Sequence, residues 1–414
     1  MSVKERKIGT DSRNMMKQRI MVEALLVLLL FSLPAGSFTP RHDFDSRLKS
    51  IVKPYQFSTV KWEAKAIPGE LKQSFMPHRE SPKNEIAAVE EYFSLTQQIK
   101  ALKSNNPLGP SPEAELNRLQ EQKSALADTV ERILEKQIGE TLDELGIFSR
   151  VAGLRVDFPP VNFKLETPPY LLVISPRDRI ESIQTVTLQS TLTRKEIGEI
   201  ESGADALGVS ALVVGLGGLG TTYPTFVADD TSLKSVIETG VHEWLHQYLA
   251  FKPLGFYYVL DLTGLRRDYD VAMMNETLAD MLGKEIGDLV YEKYYASPAG
   301  AISQNPLQAT TFNFNREMRE TRQTVDSYLT RGEIEQAEQF MKERRDFLAT
   351  KGYNIRKLNQ AYFAFYGTYA DSPTSIDPIG SELKELRAKS GSLKDFLGAA
   401  SRLTSRQQLE QSIK

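Results

Sequence analysis

The sequence contains no cysteine. That excludes a disulfide framework, a lipid-modified cysteine, a thiol nucleophile and any metal site built on sulfur, so a bound metal must use imidazole or carboxylate groups. Histidine is scarce as well: only His42, His78, His242 and His246 occur, and two of them stand four residues apart. A charge of one sign is also missing. Lys and Arg number 51 against 54 Asp and Glu, a net charge of -3, so composition implies no nucleic-acid partner and no general attraction to an anionic surface. No internal repeat and no low-complexity segment is evident. What remains is ordinary globular material: 414 residues, 41% hydrophobic and 25% charged, enough for two or three packed units.

The strongest apolar run lies near the start. Lys4, Arg6, Lys7, Arg13, Lys17 and Arg19 precede Ala24 to Leu33, and no charge follows until Arg41. Extended to Ile20 and Phe38, the stretch approaches the ~20 residues that cross a bilayer as a helix, although Glu23, Pro34 and Gly36 interrupt it. The pattern predicts a cytoplasmic tail and signal anchor over residues 1–38, with the membrane as a partner and the rest of the chain outside the cytoplasm. Ala35-Gly36-Ser37 offers small residues for a signal peptidase, so the alternative is a chain secreted after cleavage.

Residues 39–150 read as a connector and a helical hairpin. A short alternating stretch, Tyr55 to Trp62, suggests a strand. Helical periodicity then runs from Asn84 to Lys103 and from Ser111 to Leu145, broken by Asn105-Asn106-Pro107-Leu108-Gly109-Pro110. The charged faces of this hairpin suit solvent; the alternative is a partner-binding coiled coil. From Arg155 to Val227 the pattern is strand-like, best at Tyr170 to Ser175, Thr185 to Leu192 and Ser210 to Val214. Gly215-Leu216-Gly217-Gly218-Leu219-Gly220 has a dinucleotide-type glycine spacing, but Thr221-Thr222-Tyr223-Pro224 stands where a phosphate-binding helix should begin. A sheet edge or loop lining a cleft is the better expectation. Beyond Val227 the chain is mainly helical. The expected fold class is α+β, mainly α, with residues 151–414 forming one domain: a small sheet over 151–230 and helices over 231–400.

Chemistry concentrates on one of those helices. Asp229, Asp230 and Thr231 precede it and Pro253 ends it, while Leu233, Val236, Ile237, Val241, Leu245, Tyr248 and Leu249 recur at helical spacing. His242 and His246 then share another face, on adjacent turns, where two imidazoles converge on one ion. Glu243 stands beside the first of them. A carboxylate there can accept the proton of a metal-activated water, the requirement for making a nucleophile at neutral pH. The alternative, two ordinary helix histidines, leaves the His242-Glu243-Trp244-Leu245-His246 pattern to chance.

The metal needs a third ligand, and a second helix offers one. Val271, Met274, Leu278, Met281, Leu282, Ile286 and Leu289 mark its periodicity, and Glu276 and Asp280 lie on one face of it. Glu276 is the expected ligand, with Asp280 accepting the outer N–H of a ligand histidine. Asp261, Asp268, Asp270 and Glu285 are competing carboxylates. With no cysteine, these residues point to Zn2+ held by His242, His246 and Glu276.

His242-Glu243-Trp244-Leu245-His246 with Asn275, Glu276 and Asp280 resembles the gluzincin metallopeptidases, and the fold that resemblance implies for 151–414 is a zincin-like catalytic domain. The thirty residues between His246 and Glu276 exceed the thermolysin-like spacing, which an insertion around Pro253 to Asp270 would explain. A fainter resemblance is to the bacterial family of predicted zinc aminopeptidases. It is carried by Met274-Asn275-Glu276, the Arg/Glu-rich pair from Asn315 to Leu348, Leu358-Asn359-Gln360-Ala361 and Thr368-Tyr369, and spans about Val236 to Leu397. The resemblance implies peptide-bond hydrolysis of a peptide or protein substrate and points to Tyr369 as the donor to the oxyanion. The residues alone leave Tyr362, Tyr366 and Tyr223 open, as well as a core role for these aromatics. The rival expectation is a non-enzymatic, membrane-anchored envelope protein with a structural or vestigial metal site and a partner-binding hairpin.

Overall fold

A computed structural model describes residues 42–58, 62, 84–104, 110–151, 154–156, 158–296, 312–370 and 372–414. The expected anchor or signal segment, 1–38, lies outside the described residues. Among those described, no helix is long and apolar enough to cross a membrane.

The fold is mainly helical with small sheets. Helix α1 (His42–Val52) precedes the hairpin α2 (Glu85–Ser104) and α3 (Pro110–Glu144). There follow β1 (Ser149–Val151), β2 (Leu154–Val156), β3 (Phe163–Leu165), β4 (Tyr170–Pro176) and β5 (Gln184–Leu188). Helix α4 (Arg194–Asp205) leads to β6 (Val209–Gly215), β7 (Gly218–Leu219) and β8 (Thr225–Val227). The remainder is helical: α5 (Leu233–Ala250), α6 (Pro253–Leu262), α7 (Tyr269–Tyr295), α8 (Phe314–Thr330), α9 (Ile334–Thr350), α10 (Gln360–Tyr366), α11 (Ile379–Lys389), α12 (Leu393–Ala400) and α13 (Arg406–Ser412).

Strand β4 pairs antiparallel with both β5 and β6. Alternation sends Leu172, Ile174, Ala211 and Val213 to one face, against Leu48 and Val52 of α1 and Ile197 and Ile200 of α4. Val173, Leu212 and Val214 face the other way, onto Ala361 of α10. Both faces are covered, which is why these strands read as continuous apolar runs. Between them the strand-like expectation fails at α4. Thr193 Oγ1 accepts the Glu196 N–H at 3.3 Å while Glu196 Oε2 accepts the Thr193 N–H at 2.8 Å, a capping box that starts a helix instead. Of the strand expected over Tyr55 to Trp62, residues 59–61 lie outside the described residues, and among those described it makes one bridge, Gln56 to Leu188.

The second sheet has the order β3-β8-β7, with β3 parallel to β8 and β7 antiparallel to it. Its two edges are handled differently. On β3 the N–H groups of Phe163 and Leu165 donate to Glu135 and Glu131 of α3, at 3.0 and 2.8 Å. The edge is capped by side chains rather than by another strand. On the opposite edge β7 lies against α5. Helix α3 is thus bound into the same body as the motif-bearing helix: Val130, Leu134, Ile138 and Leu142 share one core with Val236, Val241, Leu245, Leu278 and Leu282. Each fully buried Leu or Ile there contributes roughly 1.5–3 kcal/mol. The polar face of α3 is also engaged, through Glu144 with Lys293 at 2.7 Å and Glu140 with Tyr294 at 2.7 Å.

Candidate metal centre

Ser232 caps α5 by accepting the Ser235 N–H at 3.2 Å. Val236, Ile237, Val241, Trp244, Leu245 and Leu249 bury its apolar face, and the Trp244 indole N–H donates to the Pro159 carbonyl at 2.9 Å. His242 and His246 are left on the face that meets α7. The approach of the two helices depends on glycine. A Cβ at Gly283 would stand 3.1 Å from the Glu238 carbonyl and from His242 Cβ, and one at Gly287 would stand 2.8 Å from Glu238 Cγ. With hydrogen at both positions the backbones close up, and Glu276, about two turns before Gly283, arrives beside the imidazoles.

His242 Nε2 and His246 Nε2 are 3.0 Å apart, and Glu276 Oε2 is 3.7 Å from the first and 3.5 Å from the second. A triangle with these sides has a circumradius of about 2.0 Å, the length of a zinc bond to imidazole nitrogen or carboxylate oxygen. Tetrahedral coordination asks for donor separations of about 3.3 Å, so His242, His246 and Glu276 could hold one ion between them. Among the described residues no other group of His, Asp and Glu gathers in this way. Three of the four competing carboxylates are committed elsewhere. Asp261 accepts the Asp268 N–H at 2.9 Å, Asp268 caps α7 at Val271, and Glu285 pairs with Arg387 at 2.6 Å.

The groups around the triangle set its chemistry. Asn275 Oδ1 lies 2.8 Å from His246 Nδ1, so the Nδ1–H donates to it and Nε2 is the nitrogen that would face a cation once its proton is released. Tyr258 donates its hydroxyl proton to Glu276 Oε1. Burial opposes the negative charge of Glu276, but the facing histidines outweigh it and hold the carboxyl well below the usual range. Burial likewise opposes a charged His246, yet Glu276 and the hydrogen bond to it raise the imidazole to about 9.

Two Nε2 atoms at 3.0 Å need a proton or a cation between them. Metal loading of the metal-free protein at pH 7 is therefore expected to release about one proton, with the affinity rising about tenfold per pH unit until pH nears 9. Calorimetry in two buffers of different ionisation enthalpy checks it; zero release would contradict the shared proton.

Glu243 is buried, at 8% exposure, beside the histidines. Burial pushes its carboxyl up, the two imidazoles pull it down, Glu276 raises it and the Gly220 N–H lowers it, with a net upward result. It lies directly under the β7 edge. A Cβ at Gly218 would stand 2.4 Å from Glu243 Oε1 and one at Gly220 would stand 2.7 Å from Oε2, so the glycine-rich stretch makes room for this carboxylate. No helix follows Gly220; the chain passes to β8.

A cavity of about 290 Å³ opens beside the triangle, lined by Gly215 to Gly218, His242, Glu243, Asp280 and Tyr369, among others. The expected sheet edge along a cleft is found there. Tyr369 is held by the loop after α10, where the Ala370 N–H donates to Thr277 Oγ1 at 2.9 Å, and its ring is 6.2 Å from that of His242. Its hydroxyl reaches Glu276, and burial, with the charges of Glu276 and Glu243, pushes it well above its ordinary value. Tyr366 lines the cavity, whereas Tyr362 packs against Tyr366 and Tyr223 is buried. Asp280 lines the cavity too, but its partner is Lys284 at 2.6 Å. The outer imidazole nitrogen of His246 is held by Asn275 instead, because Asn275 adjoins Glu276 on the face turned to α5.

The sequence marks Asn275 only as part of the motif shared with Glu276 and Asp280, without the histidine contact it makes. Nothing distinguishes Tyr258 from Tyr257 before α6 docks. No family model matches the chain, and no curated protein or solved structure is significantly similar to it.

Proposed function

We propose that this chain is a zinc-dependent peptidase held at the outer face of a membrane, with His242, His246 and Glu276 as ligands and Glu243 as general base. The observation that carries the reading is the donor triangle with a buried, upward-shifted carboxylate beside it, with His242 and Glu243 both lining a cavity bordered by a strand edge. Zinc on those three donors supplies Lewis acidity toward a carbonyl and lowers the pKa of water towards ~7.

The chain's own groups divide the remaining work. Glu243 takes the proton of the attacking water and returns it to the leaving amine, a role suited to a carboxylate shifted up toward neutrality. The β7 edge offers backbone groups to an extended peptide, and its glycines let that peptide come close. Tyr369, kept protonated, donates to the oxygen on which charge develops. The basic flank and apolar run at the N-terminus support placement outside the cytoplasm, anchored or released by cleavage. A non-enzymatic protein with a structural metal has no use for a base buried at this position.

The test is metal analysis of the purified protein combined with digestion of a mixed peptide library read by mass spectrometry. About one zinc per chain is expected. Cleavage should stop with a chelator and return with zinc. Cleavage indifferent to the chelator, or a zinc-loaded protein that cuts nothing, would sink the proposal.

A further inference from the structure

Helix α6 fills the segment that lengthens the separation of His246 and Glu276, and it turns one side chain back onto the ligands. The Tyr258 hydroxyl donates to Glu276 Oε1, and its ring stacks on His246 with centroids 5.7 Å apart and planes 26° from parallel. The other carboxylate oxygen, Oε2, is the one that faces both imidazoles. Burial, followed by the charge of Glu276, raises the Tyr258 phenol well above its ordinary value, so it remains a donor across the physiological range. Tyr369 also reaches Glu276 but lines the cavity, where a substrate can engage it; Tyr258 lies outside that lining.

We infer that Tyr258 is a positioning residue that occupies Oε1 and so holds Glu276 as a one-oxygen ligand, keeping a coordination position open for water and a substrate carbonyl. The inference rests on the zinc-peptidase reading for the ion's identity, while the hydrogen bond itself does not. Without this donor the buried Oε1 loses its partner and the carboxylate is free to turn both oxygens onto the cation. A bidentate Glu276 would fill the position the reaction needs. The neighbouring Tyr257 makes a different contact, beneath Arg266 at 4.5 Å, and so serves as the control.

The experiment compares full-length wild type, Tyr258→Phe and Tyr257→Phe. Each substitution removes one oxygen and keeps the ring, so the fold is expected to persist, as circular dichroism will register. Zinc affinity is measured by chelator competition, cobalt-substituted protein by its visible absorption, and hydrolysis by kcat and KM. Tyr258→Phe is expected to bind zinc roughly 10–100-fold more weakly. Its cobalt bands should weaken and move to shorter wavelength as the coordination number rises, and kcat should fall more than KM changes. Tyr257→Phe should match wild type in all three. A Tyr258→Phe protein with zinc affinity within about twofold of wild type and the same cobalt spectrum overturns the positioning role and leaves the peptidase reading standing. A wild-type chain that binds neither metal overturns both.

Discussion

Glu243→Gln is expected to lower peptide hydrolysis by about 10²- to 10⁴-fold while zinc content stays at about one per chain. The carboxylate is beside the donor triangle but outside it, so its loss removes proton transfer and leaves the ligands in place. The amide is nearly isosteric and can still accept from the Gly220 N–H that lowers the pKa of Glu243. Burial disfavours the charge that Glu243 carries, and a neutral amide avoids that cost. The variant should therefore be at least as heat-stable as wild type in the metal-free state, which a thermal melt beside the activity assay checks. Full activity would remove Glu243 from the mechanism, and loss of zinc would mean that it coordinates the ion.

The second large effect is on the ion. Glu276→Ala and His246→Ala are each expected to weaken zinc binding by more than about 100-fold, beyond what the loss of an outer partner produces. Equilibrium dialysis against a zinc buffer measures this, and retention of tight binding by Glu276→Ala would exclude it as the third ligand. The same variant has a signature without metal. His246 has its pKa raised from 6.5 to about 9 by Glu276, against the opposing effect of burial. Its protonation therefore contributes stability that is fully present below about pH 6.5 and is lost as pH rises through about 9. The metal-free wild type should lose thermal stability across that window, and Glu276→Ala should not.

These two expectations separate the parts of the site by how far they could be read along the chain. His242, Glu243 and His246 share one helix, so their relative placement follows from its 3.6-residue turn and from the apolar stripe that turns their face toward α7. Glu276 is different. Its helix was legible, but preferring it over Asp261, Asp268, Asp270 and Glu285 rested on a resemblance and on side-chain chemistry; the approach at Gly283 and Gly287 is what brings it to the imidazoles. Asn275 holds the outer nitrogen of His246 while Asp280 pairs with Lys284, because the rotation of α7 against α5 decides which side chain faces inward.

Local pattern and long-range packing divide the fold in the same way. Strands β4 and β6 are marked by their apolar runs and α5 by Asp229 to Thr231 before it and Pro253 after it, all signals acting within a few residues. Even α4 carries its own local signal, the capping box of Thr193 and Glu196, although the strands on either side of it dominate the pattern. The capping of the β3 edge by Glu131 and Glu135, and the choice of Tyr258 rather than Tyr257 to meet Glu276, have no such local mark. Periodicity along one helix determined where the two histidines and the base stand relative to each other. Only the docking of helices decided which carboxylate joins them and which phenol holds it, because those contacts depend on the rotation and separation of elements far apart in the chain.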